Sequence, residues 1–257
     1  MQAPPASGKI ENRVRLDELL VARGLYATRS RARDAIERGA VTVDGAVLTK
    51  PGYAVLGSSE IGVDDPAAQY VSRAALKLIA GLDHFGLDPT GSEALDIGAS
   101  TGGFTQVLLE RGAAHVMAID VGHGQLDRSL RDDPRITVLE GLNARDLSAR
   151  DIGGKSPNFL VCDVSFISLM LALPPALSLA ARGAKGVFLV KPQFEAGREA
   201  IGKGGILKDP ADGPRVAEKL RVWLDTQPGW RSLGVCDSPV AGGDGNREFL
   251  LAGINDR

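Results

Sequence analysis

From Tyr70 onward, apolar stretches of strand length alternate with amphipathic stretches of helix length, and this alternation limits the fold more than any other feature of the chain. The spacing predicts helices over 72–82, 101–111, near 125–131, over 173–182 and over 214–227. It predicts strands over 93–97, 115–119, 136–139, 158–162 and 186–190, with two more near 231–237 and 247–253. Strands joined through helices pair in parallel, so the expected architecture is α/β, a mainly parallel sheet covered by helices on both faces. A chain of 257 residues, 44% of them hydrophobic, can bury such a core and carry a smaller domain as well. Residues 59–69 are small, polar and proline-bearing, which reads as a linker between domains over 13–58 and 70–257.

In an open α/β sheet a ligand sits beyond the carboxyl ends of the strands, where the stretch LDIGASTGGF, residues 95–104, falls. A phosphate-binding loop of the GxxxxGK[ST] kind needs a lysine after its last glycine, and none follows Gly102 or Gly103. A dinucleotide fingerprint needs GxGxxG, whereas the glycines here are at 98, 102 and 103. What remains is a tight backbone beside one acid, Asp96, with a second, Asp120, ending the next strand. A carboxylate in that position suits the two hydroxyls of a ribose. An adenosyl ligand without a diphosphate meets these conditions, which favours S-adenosylmethionine over NAD; a tight strand-to-helix turn with no ligand is the alternative.

Ahead of this domain, residues 14–55 have their own punctuation. Leu16, Leu19 and Leu20 form one apolar helix face ended by Gly24. Ser30 can cap a second helix whose Ala32, Ala35 and Ile36 face inward, ended by Gly39. Val41 to Val43 alternates, Asp44-Gly45 offers a hairpin turn, and Lys50-Pro51 closes the unit. The net charge is −2, yet residues 9–50 carry nine Lys or Arg against six acids. On spacing alone, Arg29, Arg31 and Arg33 fit a solvated helix face.

The first twelve residues, MQAPPASGKIEN, lack the apolar run of a secretory signal and read as a loose tail. The longest apolar run, Phe166 to Ala181, is broken by Pro174-Pro175 and falls short of the roughly 18–20 residues of a membrane span. It reads as a strand end followed by a core helix. Two cysteines in apolar surroundings and three histidines without ligand spacing point to a reduced, cytoplasmic protein with no metal site.

Resemblance sharpens these readings. The pattern RLDxLL, GL, SRxxxAIxxGxVxVxG and KP resembles the S4 RNA-binding module, with Asp44 standing where that module commonly has asparagine. The resemblance implies that Arg15, Arg29, Arg31, Arg33 and Lys50 face RNA phosphates, joined by Arg73 of the second domain. Downstream, YVSR, LDIGASTGGFT, DVSFISL, VKPQFE and GNREFLL stand in the order found in the TlyA family of rRNA (cytidine-2′-O-)-methyltransferases, which joins an S4 module to an FtsJ-type domain. One departure is Ala74-Ala75, where the family pattern has Gly-Gly.

The resemblance implies a class I methyltransferase domain, a seven-stranded sheet with its last strand antiparallel, S-adenosylmethionine as donor, and cytidine in 16S or 23S rRNA as target. It implies a catalytic set of Lys77, Asp163, Lys191 and Glu248. Lys191 is the expected general base, Lys77 the group that orients or polarises the target, and the two acids their partners. Asp96, Gly98, Ser100, Thr101, Gly102, Gly103 and Asp163 are expected around the donor, with Asp120 at its ribose and Asn143 at its adenine. The glycine-rich, charged stretch 197–214 reads as a mobile loop, a lid or an RNA clamp. The competing classes are a non-enzymatic ribosome-binding factor, an NAD oxidoreductase and a membrane-active haemolysin, the last lacking membrane segments in this sequence.

Overall fold

A computed structural model describes residues 12–243 and 245–256. The stretch read as a tail lies, except for Asn12, outside the described residues. The chain divides into two compact units between Gln69 and Tyr70.

In the small unit, β1 (Arg13–Arg15) leads into α1 (Leu16–Ala22), followed by α2 (Arg29–Glu37), β2 (Val41–Val43), β3 (Ala46–Val47), β4 (Ala54–Leu56) and β5 (Ile61–Val63). Leu16, Leu19 and Leu20 of α1 pack on Ala32, Ala35 and Ile36 of α2, with Val41 and Val43 beneath. Asp44 and Gly45 both have positive φ, 49° and 81°, as a two-residue hairpin turn with the twist of its strands requires. Two expectations are corrected. The cap of α2 is Thr28 rather than Ser30: Thr28 has an extended backbone and its hydroxyl accepts the N–H of Arg31 at 3.3 Å. Residues 59–69 are not a free linker. Ile61–Val63 pairs antiparallel with β2, and Asp65 accepts bonds from Arg38, from the Tyr26 hydroxyl and from the N–H of Ala67.

The large unit runs α3 (Ala74–Phe85), β6 (Glu93–Ile97), α4 (Gly103–Glu110), β7 (His115–Asp120), α5 (Arg128–Arg131), β8 (Ile136–Glu140), β9 (Phe159–Cys162), α6 (Leu169–Ala172), α7 (Pro174–Leu179), β10 (Lys185–Val190), α8 (Asp212–Asp225), β11 (Trp230–Asp237) and β12 (Phe249–Asn255). Among the described residues, seven of these strands form one sheet in the order β11-β12-β10-β9-β6-β7-β8. The five from β6 to β10 are parallel, and β12 runs antiparallel to β10 and β11. Strand alternation divides the core. Leu95, Ile97, Met117 and Phe188 face α6, α7 and α8, while Ala94, Val116, Val187 and Leu250 face α3 and α4.

The chain moves from β6 outward through β7 and β8, then returns to place β9 on the other side of β6. The β6/β9 boundary is therefore the switch point at which such sheets bind ligands. The apolar run from Phe166 does not begin with a strand end. β9 stops at Cys162 and residues 163–168 form a loop; the expected helix over 173–182 is the shorter α7, and a separate turn of helix, α6, precedes it, the two parted at the prolines because a proline cannot donate to the preceding turn. Among the described residues no helix is long and apolar enough to cross a membrane.

Candidate active site

The glycine turn follows from the geometry of β6. Ala94 and Asp96 point to the α4 face of that strand, so Asp96 is fully buried and its Oδ2 accepts the Thr105 hydroxyl at 2.6 Å. Its other oxygen has no hydrogen-bond partner among the described residues. Burial pushes this carboxyl up to about 7; the Thr105 bond opposes that rise, and the nearby charges of Asp163 and Asp120 add to it. Gly98, at φ 80°, brings β6 against β9 so closely that a Cβ there would lie 3.0 Å from the carbonyl oxygen of Asp163. At Gly102 a Cβ would collide with Leu126 and Leu130, and at Gly103 it would press on Ser72 and the start of α3 at 3.0–3.3 Å. These last two glycines are thus needed for close contact with protein.

A cavity of about 960 Å³ opens at the switch point. Of the residues expected around a donor, Gly98, Ser100, Asp120, Asn143 and Asp163 line it; Asp96, Thr101, Gly102 and Gly103 do not. Asp120 accepts the N–H of Ser100 at 2.9 Å on one oxygen and that of Gly122 at 2.7 Å on the other. Each oxygen keeps a lone pair, so both hydroxyls of a ribose can still donate to the carboxylate. The Asn143 carbonyl caps the turn Ala144–Asp146, which leaves its amide group as a donor toward the cavity. These groups fit an adenosyl ligand.

The opposite wall escaped the sequence reading. Ser165, Phe166, Ser168, Gln193, Phe194 and Arg198 line it. Phe166 is 90% exposed with φ 65°, and its ring lies 5.0 Å from that of Phe194. A signal was present: each strand-ending charge, Asp163 and Lys191, is followed three residues later by a phenylalanine.

The four expected catalytic residues meet in two ion pairs. Asp163 Oδ1 lies 2.6 Å from Lys191 Nζ, which also donates to the Ser165 hydroxyl at 2.8 Å. Lys77 Nζ donates to Glu248 Oε2 at 2.5 Å, with both side chains buried. Strand register puts the pairs on one edge. Val190 is opposite Phe249, so Lys191 leaves β10 where Glu248 enters β12, and Asp163 leaves the neighbouring β9 at the same end of the sheet. Asp163 belongs to the cavity wall, whereas Lys77, Lys191 and Glu248 stand outside its lining.

The model for FtsJ-like methyltransferases matches residues 70–254, and that for the S4 domain matches residues 14–61. A 16S/23S rRNA (cytidine-2′-O)-methyltransferase TlyA from Mycobacterium tuberculosis is 47% identical over 93% of this chain and 89% of its own. The chain belongs to the TlyA family. Hemolysin A of Brachyspira hyodysenteriae is 37% identical over 92% of this chain and 98% of its own. A solved protein from Streptococcus thermophilus that carries a hemolysin name superposes with a TM-score of 0.73 at 39% identity, covering 95% of this chain and 89% of that one.

As a TlyA-family methyltransferase the chain uses S-adenosylmethionine as its donor. Its departure at Ala74-Ala75 falls at the start of α3, where both small residues pack against Gly103. Arg73 stands half-buried at the N-terminal boundary of that helix. In the S4 unit, Arg15 and Arg29 both bind Asp17, which is completely buried, each at 3.0 Å, and remain about half exposed at 45% and 51%. Arg31 donates to the carbonyl of Ala68 at 3.1 Å. Arg33 and Lys50 are exposed on the surface of this unit.

Proposed function

We propose that this chain methylates the ribose 2′-hydroxyl of a cytidine in 16S or 23S rRNA, in the cytoplasm, with the S4 unit holding the RNA. The observation that carries the reading is the pair of lysine–carboxylate contacts at the carboxyl edge of the sheet, one of them opening onto the cavity. The cytidine target follows the name of the mycobacterial relative.

When bound, the donor supplies an electrophilic methyl group on a positively charged sulfur. Asp120 would hold the donor ribose and Asn143 would meet its adenine, while Gly98 and Ser100 would give it backbone contact. Lys191 faces the nucleotide from the cavity edge; once it has passed a proton to Asp163, 2.6 Å away, its neutral amine takes up the 2′-hydroxyl proton. Lys77, fixed by buried Glu248, adds a positive charge that favours the developing alkoxide. Phe166 presents an exposed ring to the base of the target nucleotide, backed by Phe194. The chain has to bring oxygen, carbon and sulfur into line at roughly 3–3.5 Å, and rigid loops at a sheet edge serve that purpose.

The test is methylation of rRNA and of ribosomal subunits with labelled donor, followed by mapping of 2′-O-methyl groups. Lys191→Ala is expected to keep donor affinity and lose turnover by about 100-fold or more. Turnover at the wild-type rate in that variant removes Lys191 from its role.

A further inference from the structure

Glu195 follows the turn Pro192–Phe194 after β10, and the chemistry above gives it no task. Its side chain crosses to the loop after β9. One oxygen accepts the Ser168 hydroxyl at 2.5 Å and the other accepts the backbone N–H of Leu169 at 2.7 Å. Ser168 caps α6 by accepting the N–H of Met170 at 3.1 Å. A single carboxylate therefore closes the start of α6 and joins two loops of the same cavity wall. One loop carries Asp163 and Phe166, the other Lys191 and Phe194. Both bonds are made to a charged acceptor in a half-buried setting, where such bonds are short and strong. Burial raises the Glu195 carboxyl above its ordinary range, and the Ser168 and Leu169 bonds oppose that rise.

The loop needs a tie of this kind. Phe166 has a left-handed backbone, which an aromatic residue adopts only at a cost, and its ring is too exposed for burial to offset that cost. The restraint has to come from neighbouring residues, and the Glu195 bonds begin two residues further along the chain. The same bonds set the separation of the two loops from which the Phe166 and Phe194 rings meet.

We infer that Glu195 is a positioning residue for this methyl transfer: by tying Ser168 and Leu169 to the loop after Lys191, it holds Phe166 in the geometry that receives the target nucleotide. The inference rests on reading the site as an RNA 2′-O-methyltransferase.

Its test is a mutant cycle in the full chain, with donor affinity, single-turnover rate and the KM for RNA measured for each variant. Glu195→Ala is expected to lower kcat/KM for RNA about 10- to 100-fold while donor affinity stays within about twofold. Glu195→Gln retains an acceptor for the Leu169 N–H and recovers part of the loss. A residue that acts through Phe166 adds nothing once that ring is gone, so Phe166→Ala with Glu195→Ala should be no slower than Phe166→Ala alone, within about twofold. Additive losses overturn the inference, as does a wild-type rate in either single variant. Should Glu195→Ala fail to fold, Glu195→Gln takes its place in the same cycle. Failure of the unaltered chain to methylate RNA at all overturns the reading beneath, a result distinct from any of these.

Discussion

The carboxyl of Asp96 titrates in a dry pocket beneath the cavity, and its raised value has a consequence for stability. An aspartate in the unfolded chain ionises near 3.9, so between that pH and about 7 the folded chain holds a proton that the unfolded chain has released. The stabilisation is complete below the unfolded value and is lost as pH rises through about 7. Unfolding by denaturant at pH 5 and pH 8 should show the wild type losing stability over that interval. Asp96→Asn should lose less, the two losses differing by at most about 3 kcal/mol over that interval; equal losses refute the assignment. The sequence showed that an acid precedes the glycine turn, but its burial depends on which face of β6 meets α4. That is a property of the assembled sheet, in which Asp96 bonds to Thr105.

At the scale of elements, the strands were legible because each is a run of apolar residues bounded by turns. The strand predicted over 93–97 is the one observed, and most others differ by one or two residues at an end. Elements held by distant partners were not legible. β5 is three residues long and exists through its pairing with β2, while Asp65 draws in Tyr26 and Arg38 from elsewhere in the unit. The two glycine positions of the turn divide in the same way. Gly98→Ala puts a methyl against the backbone of Asp163, so it should displace the acid that faces Lys191 and cut turnover at least about 10-fold. Gly102→Ala meets only the ends of two leucine side chains at a φ of 98°. It should cost about 1–3 kcal/mol of stability while the surviving folded protein keeps its turnover. Thermal melts paired with single-turnover rates separate the two, and equal turnover in both variants refutes the division.

Across the whole molecule, charge is assigned by function rather than by amount. The chain is slightly acidic, and part of its N-terminal positive excess is engaged internally, since Arg15 and Arg29 close over the buried carboxylate of Asp17. Sequence reading could count these arginines but could not see the acid that orients them. Removing either one leaves Asp17 short of a partner, so Arg15→Ala or Arg29→Ala should destabilise the small unit, read as a lower melting temperature, and an unchanged melt refutes the role. Arg33 and Lys50 are exposed and their replacement disturbs no buried acid, so they should act on RNA alone. Removing one cation that neutralises a phosphate lowers the slope of log affinity against log salt by about 0.7–0.9, and Arg33→Glu with Lys50→Glu in the full chain should flatten it by nearly twice that. Donor affinity and thermal stability should not change, because the donor cavity is built entirely within residues 98–201. An unaltered salt slope in that double variant would show that these two side chains do not meet the phosphate backbone.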